Sequence, residues 1–94
     1  MPLNEIYVEG EEVFKMAQAL SSRTSFRILQ LLANEKLDIS TIALRLDLSE
    51  AYISEEISNL EDLNLIKVSY SPGKRGIRKI CELQVSKIIL FLKN

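Results

Sequence analysis

The chain of 94 residues contains no histidine, no tryptophan and one cysteine, Cys81. Without histidine it has no imidazole base and lacks a common ligand of zinc. One cysteine allows neither a disulfide within the chain nor a cysteine-based metal site formed by one copy. The sequence also has no glycine-rich phosphate loop and no acidic pair at a spacing suited to catalysis. We therefore predict a protein that is not an enzyme and uses no cofactor and no metal.

Long hydrophobic runs are missing as well. The longest, residues 88–92, falls far short of the ~20 apolar residues of a membrane helix. The N-terminus shows no basic stretch followed by an apolar one, as a signal peptide would. Hydrophobic residues still make up 47% of the chain, which is enough for a core. The composition predicts one cytoplasmic domain over residues 1–94 without membrane contact, and its many Ile, Leu, Glu and Lys residues favour a thermophilic source.

Positive charge is concentrated in one short segment. The chain carries 12 basic and 13 acidic residues, for a net charge of −1. Lys74, Arg75, Arg78 and Lys79 lie within six positions, so the other 88 residues have eight basic and thirteen acidic groups, a net charge of −5. Such asymmetry produces a local positive field that the net charge conceals. This segment is the strongest candidate for contact with phosphate groups.

Residues 49–66 combine a helical pattern with an unusual charge. Ser49 can cap a helix, and apolar Ile53, Ile57 and Leu60 recur at helical spacing on one face. Asn64 stands where a helix often ends in a left-handed residue, before a short strand. The segment holds five acidic residues and no basic one, although a face that enters a DNA groove is normally neutral or basic.

Four helices and a hairpin are predicted in chain order. Apolar spacing predicts a helix over residues 11–21 and a second one from the cap at Ser21-Ser22 to about Asn34. A third helix begins at a cap on Ser40, and the tight turn after it makes residues 40–64 a helix-turn-helix. Residues 65–83 are predicted to form a β-hairpin, the wing, around a turn that contains proline and glycine. The predicted fold class is mainly α with a β-hairpin wing, a winged helix-turn-helix around one core.

The two ends of the chain are too apolar for a solvated surface. We predict a terminal helix over residues 84–93 that, with the first helix, forms the interface of a homodimer. The alternative is that this tail covers the core of its own chain. The predicted interface residues are Val13, Phe14, Ala17, Val85, Ile88, Ile89 and Leu92.

Three stretches of the sequence resemble the ArsR-type winged-helix regulators of bacteria and archaea. Residues 19–32, ALSSRTSFRILQLL, resemble the second helix of that family, and residues 39–65 resemble its helix-turn-helix. Residues 76–83, GIRKICEL, resemble the wing of related single-domain regulators. The resemblance covers about residues 19–84 and implies a homodimeric transcription regulator, of archaeal or archaeal-viral source, that binds double-stranded DNA.

Two departures from the family pattern bear on function. Metal-sensing members carry Cys-x-Cys at the start of the third helix, where this chain has Asp38-Ile39-Ser40. Metal sensing through that position is therefore not predicted. The second helix of the helix-turn-helix, which begins at the cap Ser49, is the recognition helix. Many family members follow the serine of this helix with Arg-His or a similar pair, where this chain has Glu55-Glu56.

The recognition helix and the wing are the predicted DNA-binding elements. Base-edge contacts in helix-turn-helix proteins come from the N-terminal half of the recognition helix, which enters the major groove. There serine reads several bases, alanine contacts the thymine methyl and glutamate accepts from the cytosine amino group. The wing is expected along the backbone or minor groove, with two residues of the preceding helix on the backbone. The predicted DNA-binding residues are Thr41, Arg45, Ser49, Ala51, Tyr52, Ser54, Glu55, Ser58, Lys74, Arg75, Arg78 and Lys79.

An acidic recognition helix also supports a second hypothesis. Cations at a hairpin tip can serve solubility alone, and carboxylates near a helix N-terminus can simply suit its positive end. The chain would then be a winged-helix protein–protein interaction module that docks a basic protein partner through this helix. The sequence leaves both hypotheses open.

Overall fold

The computed structural model describes residues 4–74 and 76–93. Four helices and five strands lie in this part of the chain. Their order is β1 (Asn4–Glu9), α1 (Glu11–Ser21), α2 (Arg23–Leu32), β2 (Leu37–Asp38), α3 (Ile39–Leu46), α4 (Glu50–Asp62), β3 (Ile66–Gly73), β4 (Gly76–Leu83) and β5 (Val85–Phe91).

Serine side chains begin two of the helices, as predicted. The Ser22 hydroxyl accepts from the backbone N–H of Ser25 at 3.2 Å, at the start of α2. The Ser49 hydroxyl accepts from the N–H of Tyr52 at 3.1 Å, at the start of α4. Each bond satisfies an amide that has no partner within its helix.

Helix α3 begins earlier than predicted, and its cap is Asp38 rather than Ser40. Asp38 has an extended backbone with φ −84° and ψ 166°, and its carboxylate accepts from the N–H of Thr41 at 2.8 Å. Aspartate caps a helix as well as serine does. Ser40 therefore lies inside the first turn, with its hydroxyl free to bond to another element.

The helix-turn-helix is confirmed. Helix α3 ends in the left-handed residue Asp47, with φ 57°, and α4 begins three residues later. Asn64 has φ 62° and turns the chain from α4 into β3. Asparagine and aspartate tolerate this backbone region better than most residues other than glycine.

The wing is confirmed as an antiparallel hairpin of β3 and β4, with β2 on the far side of β4. Residues pair from Ile66 with Leu83 out to Gly73 with Gly76, whose φ of 117° suits glycine. Strand β2 is much shorter and pairs with β4 only at Cys81 and Ile80. The outer half of the hairpin therefore extends beyond the three-stranded part of the sheet.

The terminal helix predicted over residues 84–93 is wrong, because residues Val85–Phe91 form strand β5. This strand pairs in parallel with β1, and the register includes Ile6 with Ile88 and Tyr7 with Ile89. The β-branched residues of this segment favour a strand once β1 offers a pairing edge. Parallel neighbours need a long connection, which here is the rest of the domain.

Every described element contributes to one core. Val8 of β1, Met16 of α1 and Val85 of β5 are at most 8% exposed and join the buried residues of α2, α3, α4 and the wing. Cys81 is fully buried, and burial is the main cause that raises the pKa of its thiol to about 11. Of the helices in the described chain, none combines the length and apolar character needed to cross a membrane.

Candidate nucleic-acid interface

The first turns of α3 and α4 face the outer half of the hairpin across a cleft of about 670 Å³. We call this space the wing cleft. Helix N-termini carry partial positive charge from unpaired amide groups, so both helices favour an anion on this side. The lining residues are Asp38, Ile39, Ser40, Glu50, Ala51, Ser54, Gly73, Lys74, Gly76, Ile77, Arg78 and Lys79.

Two predicted contact residues of α4 line the wing cleft. Ala51 is exposed and Ser54 half-buried, and both face the cations of the hairpin. Glu55 and Ser58 are exposed on α4 but do not line this cleft. The structure therefore brings part of the predicted helix contacts together with the wing.

Two further residues of α4 have roles within the chain. Ser49 is the N-cap of the helix, and its hydroxyl is already bonded to the amide of Tyr52. The Tyr52 ring is 40% exposed, and its hydroxyl donates to the Oγ1 atom of Thr24 at 3.4 Å. Ser49 therefore starts α4, and the bond from Tyr52 to Thr24 ties α4 to α2.

The carboxylates in the N-terminal half of α4 fall into two kinds. The Ser40 hydroxyl donates to Glu50 at 2.9 Å and joins the first turns of α3 and α4. The Ser25 hydroxyl, in a residue that is 2% exposed, donates to Glu56 at 3.3 Å and ties α4 to α2. Glu55 is exposed and makes no hydrogen bond or ion pair within residues 4–74 and 76–93. Glu50 and Glu56 therefore support the fold, whereas Glu55 faces outward.

The wing cations also differ from one another. Lys74 and Lys79 are exposed at the wing cleft. The Arg78 guanidinium instead donates from Nε to the Oδ2 atom of Asp38 at 2.9 Å, and its Nη2 atom lies 2.7 Å from the same oxygen in an ion pair. Arg75, the fourth predicted cation, lies outside the described residues.

The two predicted residues of α3 have protein partners. Thr41 is half-buried, and hydrogen bonds from its hydroxyl and backbone N–H are the main cause that lowers the pKa of Asp38 to about 2. Arg45 donates from its two terminal nitrogens to the two Glu35 oxygens at 3.0 and 3.3 Å. Exposed pairs of this kind contribute about 0–1 kcal/mol, so Arg45 can exchange its partner for a phosphate.

Asp38 is the site residue that sequence reasoning missed. It stands three positions before Thr41, the spacing at which an N-cap meets its amide partner. That spacing is visible in the sequence, but Ser40 offered a competing cap two residues later. The partner on the other side, Arg78, is forty residues away and becomes apparent only in the fold.

The predicted interface residues at the chain ends separate into core and surface. Val85 is 7% exposed and belongs to the core of its own chain, and Ile88 packs against that core. Ile89 is half-buried on β5.

A second, apolar cleft of about 420 Å³, which we call the terminal groove, is lined by Gly10, Val13, Phe14, Ala17, Phe91 and Leu92.

The terminal groove is both apolar and open. Phe14 is 57% exposed and Leu92 is 90% exposed. Beside the groove, the rings of Tyr7 and Phe91 stack with centroids 6.1 Å apart. Apolar side chains that line one groove at this exposure are typical of a surface that another protein covers.

Residues 23–68 match the family model described as "Bacterial regulatory protein, arsR family". No curated protein matches the chain significantly. Among solved structures, reduced HlyU from Vibrio cholerae is similar at 17% identity and a TM-score of 0.69, over 81% of this chain and 76% of that one. NolR from Sinorhizobium fredii is similar at 22% identity and a TM-score of 0.66, over 81% and 72%.

A third solved structure is the homodimeric winged helix-turn-helix DNA-binding domain Mb0332 from Mycobacterium bovis. It is 20% identical with a TM-score of 0.67, over 79% of this chain and 65% of that one. These likenesses establish the winged-helix fold of the present chain. Residues 23–68 therefore resemble the helix-turn-helix region of the arsR family in sequence, and they lie within a winged-helix fold.

Proposed function

We propose that this chain is a homodimeric transcription regulator that binds specific double-stranded DNA sequences through α4 and the wing. The observation that carries the proposal is the wing cleft, where the N-terminal half of α4 and the exposed cations Lys74 and Lys79 face the same space. A recognition helix reads base edges from that half, and a basic wing contacts the phosphates beside the groove.

The exposed residues of α4 suit base reading by size and chemistry. Ala51 can contact a thymine methyl, and Ser54 and Ser58 can bond to several bases. Glu55 can accept a hydrogen bond from cytosine and repels the backbone at a misplaced site. Lys74 and Lys79 supply attraction that does not depend on sequence.

A second copy is proposed to cover the terminal groove. Phe14 and Ala17 of α1 and Leu92 after β5 are exposed there, and the similar Mycobacterium bovis domain is homodimeric. Two recognition helices related by a twofold axis would read a pseudo-palindromic site one helical turn apart. Strand β5 takes the place that the sequence assigned to a dimerisation helix.

The protein–protein alternative receives less support from the structure. Glu50 and Glu56 bond to hydroxyl groups of α3 and α2, so they are held by the fold rather than offered to a basic partner. Glu50 and Glu55 are both exposed, and of the two Glu55 makes no hydrogen bond or ion pair within the described chain. Exposed carboxylates of this kind make a weak docking surface, because exposed ion pairs contribute about 0–1 kcal/mol each.

Regulation by metal through the Cys-x-Cys position is not part of this proposal. Asp38 occupies that place and caps α3. The archaeal or archaeal-viral source stays a prediction from the family resemblance.

The proposal is tested by selecting bound sequences from random duplex DNA and measuring their affinity at several salt concentrations. We expect a pseudo-palindromic consensus. If the dimer neutralises about six to ten phosphates, affinity falls ~10³–10⁵-fold between about 50 and 200 mM salt. No enrichment and no retardation of mixed DNA at micromolar protein and low salt would contradict DNA binding and favour the protein-docking alternative.

A further inference from the structure

One carboxylate joins the wing to the helix-turn-helix. The Oδ1 atom of Asp38 accepts from the N–H of Thr41 at 2.8 Å, and the Oδ2 atom accepts from Nε of Arg78 at 2.9 Å and forms an ion pair with its Nη2 atom. The Asp38 side chain is 14% exposed and that of Arg78 is 54% exposed. A single side chain is thus bonded at once to the first turn of α3 and to strand β4.

The contact between Asp38 and Arg78, which we call the bridge, lies farther out along the hairpin than the support that β2 provides. Strand β2 supports β4 only as far out as Ile80. Arg78 lies two residues nearer the tip, where the flanking residues Ile77 and Lys79 are exposed. Within residues 4–74 and 76–93, it makes the outermost hydrogen bond or ion pair between the hairpin and the helical part of the domain. The outer wing is therefore held against α3 by this contact.

The bridge also changes the charge that the wing presents. A charge-assisted hydrogen bond within an ion pair is stronger than a bond between neutral groups, and the largely buried Asp38 carboxylate neutralises the guanidinium locally. Arg78 therefore releases few counterions when DNA binds, in contrast to the exposed Lys79 beside it. Adjacent cations of one strand thus have different roles.

We propose that Asp38 and Arg78 are positioning residues, which hold the wing at a fixed distance from α4 and serve DNA binding without contacting phosphate. This inference rests on the proposed function for its DNA readouts. The bridge sets the width of the wing cleft, and the width decides whether the lysines of the wing meet the backbone when α4 is in the groove.

The substitution Asp38→Asn separates positioning from charge. Asparagine caps a helix as well as aspartate, so α3 keeps its start while the ion pair is lost. Removal of a negative charge near DNA would by itself tighten binding. Positioning predicts the opposite, namely binding to the selected DNA about fivefold to tenfold weaker. Tighter or unchanged binding by the folded variant would overturn the proposal.

Arg78→Gln and Lys79→Gln form a matched pair, since each removes one cation from neighbouring positions of β4. For Lys79→Gln, loss of one phosphate contact per protomer lowers the slope of log affinity against log salt by about 1.8 per dimer. For Arg78→Gln we expect weaker binding with an unchanged slope. An equal loss of slope in both variants would make Arg78 a phosphate contact and refute its positioning role.

A measurement without DNA keeps this inference separate from the proposed function. In the free wild-type protein, backbone ¹⁵N relaxation at residues 76–79 should give order parameters near the rigid value of about 0.85. In Asp38→Asn these values should fall toward about 0.6, while those of α4 stay unchanged. Unchanged order in the wing would overturn the positioning role. If the wild type bound no duplex at all, the proposed function would fail, whereas this measurement would still decide whether the bridge holds the wing.

Discussion

The wing cleft and the terminal groove are two open surfaces of opposite character. The wing cleft is lined by caps, lysines and an ion pair, whereas the terminal groove is lined by apolar side chains and one glycine. Directional bonds fix the first surface, and non-directional packing shapes the second. The contrast fits the two partners proposed above, a polyanion at the wing cleft and a second copy of the chain at the terminal groove.

The largest effect is expected from removing both exposed wing cations, with Lys74→Gln and Lys79→Gln combined. A dimer then loses four phosphate contacts, which lowers affinity about 10³-fold at about 0.15 M salt and reduces the salt slope by about 3.6. Fluorescence anisotropy with the selected duplex across a salt series measures both quantities.

The control for this variant is Lys36→Gln combined with Lys67→Gln. It changes the net charge equally, but Lys36 pairs with Glu82 at 3.3 Å and Lys67 lies opposite the same residue, away from the wing cleft. We expect less than a tenfold loss for the control. Equal losses in both double variants would show that overall charge, and not the wing cleft, determines binding.

The next effect concerns the terminal groove. Phe14→Glu places a charge in the apolar surface and should convert the dimer to a monomer in sedimentation velocity. Affinity for the full site should then fall about 10²-fold, at the lower end of the gain from linking two sites, because free monomers still occupy half-sites. Phe26→Glu is the matched control, since Phe26 is 50% exposed on α2 and does not line the groove. A dimer that survives Phe14→Glu would place the interface elsewhere.

The two surfaces also differ in how far the sequence predicted them. At the helix-turn-helix, capping residues and left-handed turn residues each specify one backbone state, so Ser49 and Asn64 were read correctly. At the C-terminus, apolar Val85, Ile88, Ile89 and Leu92 follow helical spacing, yet the segment is a strand. Short apolar runs fit either structure, and the choice depended on β1, whose edge is more than seventy residues away in sequence.

The sequence predicts where the charged residues lie along the chain but not which residues they bond to. The sequence located the four wing cations and the acidic α4, because a cluster is visible in one dimension. It could not show that Arg78 bonds to Asp38 or that Glu56 bonds to Ser25, since those pairs join different elements. In the N-terminal half of α4, Glu55 is therefore the exposed carboxylate without a bonding partner in the described chain, whereas Glu50 is exposed but bonded to Ser40.

The next prediction, of intermediate size, concerns Asp38, whose charge stabilises the fold instead of facing outward. Asp38 has a folded pKa of about 2 against an ordinary value of 3.8, first through Thr41 and then through Arg78. Its contribution to stability is complete well above pH 3.8 and is lost as the pH falls through about 2. At neutral pH this pKa shift contributes on the order of 2 kcal/mol to the free energy of unfolding.

Urea unfolding of the wild type and Asp38→Asn at pH 7 and near pH 2 measures this contribution. The stability difference between the two proteins should be largest at pH 7 and shrink toward zero in acid. Because Thr41 is the main cause of the low pKa, Arg78→Gln should preserve most of this pH dependence and Thr41→Val should reduce it more. A difference that is constant with pH would mean that the carboxylate charge does not stabilise the folded state.

The smallest effect is expected at Glu55. This residue is the clearest contrast to the carboxylates that are bonded within the fold. Glu55→Gln keeps the size of the side chain and removes a carboxylate that faces outward from α4. If α4 enters the groove, affinity for unrelated DNA should rise about threefold to tenfold, since two charges a few ångströms apart in water interact by about 1 kcal/mol. Preference for the selected sequence should fall by a similar factor, because repulsion at wrong sites contributes to specificity.

Asp62→Asn, at the C-terminal end of the same helix, should change neither quantity by more than about twofold, since base contacts come from the N-terminal half. Competition binding with selected and unrelated duplexes measures both, and equal behaviour of the two variants would place Glu55 outside the groove.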